Sequence, residues 1–349
     1  MAFWFFVKRT TRNHRRREST VFRDNDWTVE RRLTQGSGGT CYVVRNKKTG
    51  IVMVQKVIAE QHRRQTHELS RISYIKTLLM LDQILALTQW LTPHQNIVRV
   101  FSSDSATGVL NMEYCRGGDL DRQCDHFLNL RRRGHLTPES FQIHVFICMI
   151  YALAYVHHGL RVHETAASFR LEHQPRHVSI VHADIKPGNI LLRWPGRIQG
   201  LPDVVLTDFG LCHPARHYGG QPGDPRFVAP EIAAYSWLQR DPAQHFQVVA
   251  REDLVSTAAD VYSLGLTMVK VLGWSFAIGH DPAYFLPHVK SRALVRGIQA
   301  CLQVDRACRI RIDNGAEGML RRYLNELISA RDYLLEVDGA PEQYFWATR

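Results

Sequence analysis

The order of textures along the chain predicts an α+β protein in two lobes, a small, mainly antiparallel β lobe followed by a larger, mainly helical one. Three observations predict it. Short β-branched runs come first, long helical runs come after the phrase "RGGDL", and 349 residues suffice for two lobes with a sizeable core. Apolar content of 45% and charged content of 22% fit an ordinary globular chain and argue against a disordered or fibrous one.

The elements are taken in chain order. Residues 1–26 read as a basic arm without stable structure. Its cluster "KRTTRNHRRR" is either a nuclear-import or polyanion-binding patch or a solvated tail, and charge runs are usually only solvated. The opening apolar run is too short for a signal-peptide core, and cations follow it instead of preceding it. The net charge of +11 favours acidic partners such as nucleotides, nucleic acid or an anionic membrane. From Trp27, "WTVERRL", "TCYVVRN" and "GIVMVQKVI" read as three antiparallel strands bounded by Gly and Asn-Lys turns. "HELSRISYIKTLLMLDQILALTQWL" has helical length and period, and "IVRVFSSD" and "GVLNMEYC" return to strand. This first lobe spans 27–116. The second, 117–335, contains a helix that starts near Pro138 and stops at Gly159, in "PESFQIHVFICMIYALAYVHHG". A polar, His-rich stretch, 161–177, reads as a surface excursion. "NILLRW" and "DVVLTDFG" read as a hairpin around "PGRIQGLP". Residues 336–349 are expected to be a tail. No window approaches the length of a transmembrane helix. Seven cysteines lie singly, with no C-x-x-C pair, which excludes a zinc ribbon or thioredoxin motif and suggests reduced thiols in an intracellular protein.

Several residues carry chemistry. Gly36 and Gly38, in "QGSGGTCYVV", let backbone approach a phosphate, although a Gly-rich hairpin is more often only a turn. Lys56 sits in an apolar strand and needs a counter-charge or solvent: an anchored polyphosphate is one answer, an edge strand the other. Asp208 ends an apolar strand just before a Gly, as a turn residue or a metal holder. The loop "IVHADIKPGN", residues 180–189, places the acid Asp184, the cation Lys186 and the amide Asn189 within six positions.

Taken in order, the Gly-rich hairpin, the strand Lys, H-x-D-x-K-P-x-N, D-F-G and A-P-E (Ala229, Pro230, Glu231) resemble the eukaryotic protein kinase family over residues 30–315. The resemblance implies a bilobal protein kinase fold with ATP and Mg2+ as cofactors. It implies Asp184 as catalytic base, Lys186 as neutraliser of the transferring phosphoryl group, and Lys56 on the α- and β-phosphates. Asn189 and Asp208 would hold magnesium. Val43 and Leu191 would sandwich adenine, Met112 would be the gatekeeper, Glu113 and Cys115 would offer hinge backbone groups, and Asp119 would reach the ribose. Asp260 would brace the loop, and Glu231 would pair with Arg309. Lysine two residues after the base is the serine/threonine pattern, so the partner implied is a protein with Ser or Thr. "NMEYCRGGDL" is most similar to NIMA-related kinases.

The pattern is broken in places. Cys41 replaces the third glycine and Val54 the usual small residue before Lys56. The glutamate that should pair with Lys56 is ambiguous between Glu68 and Asp82, and "DPAQHFQVVARED" reads as an insert. Ala183 replaces the Arg before the base. Asp224 replaces the Thr that contacts base and lysine, and an acid beside Asp184 is expected to raise it by like-charge repulsion. Two functions remain: an active serine/threonine kinase, cytoplasmic or nuclear, or a pseudokinase scaffold that binds nucleotide and partners with little turnover.

Overall fold

The computed structural model describes residues 26–36, 39–57, 91, 93–104, 108–165, 168–215, 223–238, 255–273 and 289–347. They fall into two compact units that divide between Tyr114 and Cys115. The basic arm, the long run before residue 91 with Glu68 and Asp82, Gly38, and the insert after Leu238 lie outside the described residues.

Among the described residues, the strands of the first unit form one antiparallel sheet. Strands β1 (Trp27–Gly36), β2 (Gly39–Asn46), β3 (Val52–Val57), β4 (Val100–Asp104) and β5 (Val109–Glu113) run in the order β1-β2-β3-β5-β4. Val43, Val44, Met53, Val54, Val100 and Met112 are buried, and because consecutive strand residues point to opposite faces, residues are covered on both sides of the sheet. The β2–β3 connection is built by Asn46. Its side-chain oxygen accepts the N–H groups of Lys48 and Thr49 at 3.0 and 2.9 Å, and Gly50 takes φ +71° to bring the chain back.

The second unit is mainly helical. Helix α1 (Leu120–Arg132) is capped by Asp119, and α2 (Glu139–His158) is its axis, buried from Ser140 to His157. This corrects the reading that no window approaches a membrane span. The 20 residues of α2 are long and apolar enough by composition, with mean hydropathy 1.4, but every one in that window is buried inside the unit. Its apolar character serves packing from all sides. Gly159 ends α2 in the left-handed region at φ +68°, where a Cβ would meet His177 Cβ at 2.6 Å.

The 161–177 stretch is also more than an excursion. It contains a hairpin, β6 (Leu160–Glu164) with β7 (Phe169–His173). The hairpin is tied to helix α6 (Asn325–Asp338) by Arg331, whose guanidinium donates to both Glu164 oxygens at 3.1 and 2.6 Å. Two short pairs come next: β8 (Ile180–Val181) with β11 (His213–Pro214), and β9 (Ile190–Arg193) with β10 (Asp203–Leu206), the latter where the sequence predicts a hairpin. Helices α3 (Pro230–Leu238), α4 (Thr257–Val271) and α5 (Arg292–Cys301) complete the unit. Helix α6 crosses residue 335, where the lobe was expected to end. Beyond it Trp346 is 6% exposed, with ring centroids of Phe141 and Trp194 each 5.1 Å away, and Gln123 bonds Phe345 O and Ala347 N at 2.7 and 3.0 Å.

Candidate active site

In the first unit, the register sets Lys56 opposite Cys41 on β2 and Leu110 on β5. Val54 pairs with Val43 on one side and Met112 on the other, so it stands between the expected adenine and gatekeeper residues in the sheet. Gly36 pairs with Gly39 at the β1–β2 end. Glu113 closes β5 with its N–H on Arg99 O at 2.9 Å, and its carboxylate accepts Arg99 N–H at 2.9 Å.

In the second unit, Cys115 is buried and its carbonyl accepts Gly118 N–H at 3.2 Å. Gly117 N–H donates to Leu192 O and Leu192 N–H to Gly118 O, each at 2.9 Å, and a Cβ on Gly117 would lie 2.6 Å from Leu192 O. This close approach is why the phrase needs glycine. It also brings Asp119 into a bridge with Leu191. Asp119 Oδ1 accepts Arg122 N–H at 2.8 Å as the cap of α1, so any ribose contact has to share this carboxylate with the cap.

Residues 180–189 bring the three predicted groups into contact. Lys186 Nζ donates to Asp184 Oδ2 at 2.8 Å. Asn189 Nδ2 donates to Asp184 Oδ2 at 2.7 Å and to Asp184 O at 2.8 Å. Oδ2 thus has two donors. Oδ1 has one, the N–H of Asp224 at 3.0 Å, and a carboxylate oxygen can accept two. Oδ1 is therefore the oxygen with room for a further proton donor. Thr207 N–H donates to Asn189 O at 2.9 Å, and Leu206 pairs with Ile190, so the β9–β10 register sets Thr207 opposite Asn189 with Asp208 next along the chain. Asp208 adopts φ +60°, a left-handed conformation that acids tolerate better than most residues.

The brace is Asp260, 1% exposed on α4. Its Oδ2 accepts His182 N–H at 2.7 Å and the His157 ring N–H at 3.0 Å, and its Oδ1 accepts Ala183 N–H at 2.8 Å. Burial pushes the Asp260 carboxyl up, but hydrogen bonding and charge from His157 and His182 outweigh it, so the carboxyl lies below its ordinary range. His182 reaches Thr207 O at 3.0 Å and stands edge-on to Phe209, with ring centroids 4.8 Å apart. Burial pushes its imidazole below the ordinary histidine range. Further out, Arg309 grips Glu231 with both terminal nitrogens at 2.8 and 3.1 Å, as expected. Sequence reasoning missed His157. Its only signal was a position at the end of an apolar helix.

The expected repulsion between Asp224 and Asp184 is not what the geometry presents. Asp224 offers Asp184 its backbone N–H. Its carboxylate turns to Arg226, whose Nε and Nη2 donate at 3.0 and 2.7 Å. Burial pushes the Cys148 and Cys212 thiols up to about 12, which disfavours the thiolate at those two positions, and none of the seven cysteines forms a disulfide.

A family model for the protein kinase domain matches residues 27–281. The chain belongs to the protein kinase family. It is 26% identical over 274 residues to serine/threonine-protein kinase 10 of Danio rerio, covering 76% of this chain and 22% of that protein. It is 26% identical over 249 residues to inhibitor of nuclear factor kappa-B kinase subunit epsilon of Mus musculus, covering 69% of this chain and 28% of that protein. The chain thus spans less than a third of either relative.

Membership in the protein kinase family implies ATP as nucleotide, typically with Mg2+. The donor set suits such a cation. With Asn189 Nδ2 directed at Asp184, the amide oxygen is the end left to face a metal, and Asp208 is the residue after the one hydrogen-bonded to Asn189 O. Two hard oxygen ligands leave coordination positions for phosphate and water, the usual magnesium arrangement in kinases. Among the described residues no cluster of three or more His, Cys, Asp or Glu offers a competing metal site.

Proposed function

We propose that the chain is an ATP- and magnesium-dependent serine/threonine protein kinase. The observation that carries the reading is the Asp184–Lys186–Asn189 constellation held on Asp260. Asp184 Oδ1 takes the proton of a substrate Ser or Thr hydroxyl. The hydroxyl oxygen forms a bond to the γ-phosphorus as the bond from that phosphorus to the β–γ bridging oxygen breaks, and ADP leaves with that oxygen. Lys186 stands next to Asp184 to neutralise charge on the phosphoryl group in passage. Lys56 and the backbone at Gly36 and Gly38 bind the nucleotide phosphates. Val43, Leu191, Met112, Glu113 and Cys115 receive adenine. Magnesium held by Asn189 and Asp208 would screen the phosphate charge. We place the protein in the cytoplasm or nucleus, with the basic arm contacting polyanions. The NIMA-related likeness rests on its one phrase.

The test is transfer of the γ-phosphate of ATP to a generic basic protein. Asp184→Asn is expected to keep nucleotide binding and lose transfer by roughly 10²–10⁴-fold. Asp208→Asn is expected to lose magnesium-dependent nucleotide binding as well. Transfer by Asp184→Asn at the parent rate would sink the mechanism. A parent chain that binds nucleotide and transfers none would be the scaffold instead.

A further inference from the structure

The proposed mechanism needs Asp184 Oδ1 in place, and two consecutive amides hold it there from outside the loop. Asp224 N–H donates to Asp184 Oδ1 at 3.0 Å, and Gly223 N–H donates to Ala183 O at 3.1 Å. The clip requires a bare backbone at 223, where a Cβ would stand 2.2 Å from Asp184 Oδ1 and 2.7 Å from Ala183 O. Asp224 is fixed in turn by three donors from Arg226: its N–H at 3.1 Å and its Nε at 3.0 Å on Oδ1, and its Nη2 at 2.7 Å on Oδ2. A bidentate guanidinium sets both distance and plane. Phe227 N–H closes the turn on Asp224 O at 2.9 Å, and Phe227 is buried with Ala229, Ile232, Ala259, Tyr262 and Leu266, so the turn is anchored in the unit's core.

We propose that Asp224 and Arg226 are positioning residues for phosphoryl transfer: their ion pair aims the Gly223 and Asp224 amides at the loop and holds Asp184 Oδ1 in its working orientation. The inference rests on the kinase reading. Hydrogen bonding from Arg226, first of all, holds the Asp224 carboxyl below its ordinary range, with Lys186 adding a smaller pull in the same direction. The attraction of Lys186 sets the outcome of removing Arg226. The bared carboxylate turns toward Lys186 and competes with Asp184 for it, while the two amides swing off the loop. Arg226 therefore keeps Asp224 away from Asp184's own partner as well as keeping its amide in place. A turn that served stability alone would show neither effect.

The experiment compares the parent with Arg226→Ala, Arg226→Lys, Asp224→Asn and the double variant Arg226→Ala/Asp224→Asn. It reads kcat and KM for transfer to a basic protein, equilibrium ATP binding, and hydrogen exchange of the Gly223 and Asp224 amides. Arg226 has a 63% exposed side chain, so its loss leaves the core intact. Arg226→Ala is expected to lower kcat by roughly 10-fold to 10²-fold, with ATP binding unchanged and protection lost at both amides. Arg226→Lys should recover part of kcat. The double variant should be no worse than Arg226→Ala, because the pair acts as a unit. Parent kcat in Arg226→Ala, or a fall in kcat with both amides still protected, overturns the proposal. A parent that transfers no phosphate sinks the kinase reading. The role in transfer falls with it, and exchange then decides only whether the pair holds the two amides on the loop: retained protection in Arg226→Ala refutes that hold and lost protection upholds it.

Discussion

At the scale of single residues, one titrating group with a consequence for stability stands away from the loop. His144 lies on the buried face of α2, 3% exposed, with one ring nitrogen donating to Pro202 O at 2.9 Å. Burial first, and then the charge of Arg331, push its imidazole down to about 4, against weaker opposite pulls from Glu164 and Asp203. Below the ordinary histidine range the unfolded chain binds a proton that the folded chain refuses. The His144 contribution is therefore whole above about pH 6.5 and is lost as pH falls toward about 4, by up to about 1.4 kcal/mol per pH unit. His144→Gln, which keeps a donor for Pro202, is expected to flatten urea-unfolding stability against pH over that window, and an unchanged slope would refute the assignment. Residue identity was legible in sequence; orientation was not. Asp184, Lys186 and Asn189 could be named because their spacing is local. The direction of the Asp224 carboxylate depends on an Asx-type turn through Pro225 to Arg226. "D-P-R" carried that signal, and it was outweighed by the simpler expectation of like charges side by side.

At the scale of elements, the β6–β7 hairpin shows how a polar stretch conceals structure. Leu160 and Val162, then Phe169 and Leu171, alternate with polar residues at the period of a strand. The many His and Arg residues between them hid the alternation, and the docking partner lies far along the chain. Arg331, 2% exposed, meets Glu164, which also accepts Tyr151 Oη at 2.9 Å. Removing Arg331 leaves the Glu164 carboxylate without its counter-charge, and removing Glu164 leaves the buried Arg331 with Asp332 as its ion-pair partner at 2.8 Å. Arg331→Ala is expected to cost about 3–5 kcal/mol, toward the lower end because Glu164 keeps 31% exposure. The double variant Arg331→Met/Glu164→Gln retains an acceptor for Tyr151 without a stranded charge and should recover most of the loss in urea unfolding. Equal losses in the two variants would show that packing by the arginine stem, and not the ion pair, holds the hairpin. By contrast, α2 was legible from its length and end residues, and the β1–β3 meander from its β-branched runs and turns: Gly159 stops the helix, and Asn46 with Gly50 turns the strands.

At the scale of the whole molecule, the division into a strand-rich first unit and a helical second one was readable from the order of textures, since each unit is built from contiguous sequence. Control is the property that the motifs leave open. In the family pattern, an Arg before the base receives a phosphate on the segment between D-F-G and A-P-E. Here that position is Ala183, with φ +68° and its N–H on Asp260, and a methyl group cannot form a charge-assisted pair with phosphate. The segment itself, "LCHPARHYGGQPGDPRFVAP" at 211–230, has no Ser or Thr, and Tyr218 is its single hydroxyl. Its prolines at 214, 222 and 225 restrict the backbone. Its end is already tied down without phosphate, through Gly223 and Asp224 on the loop and Glu231 on Arg309. An ordering device that exists in the unmodified chain gives a phosphate nothing further to select. Activity is therefore expected to survive treatment of the purified protein with a broad phosphatase, and Tyr218→Phe is expected to transfer phosphate at the parent rate. A large loss on dephosphorylation that returns with rephosphorylation of Tyr218 would refute this. A loss traced to a site outside 211–230 would leave this segment's independence intact and place the control elsewhere in the chain.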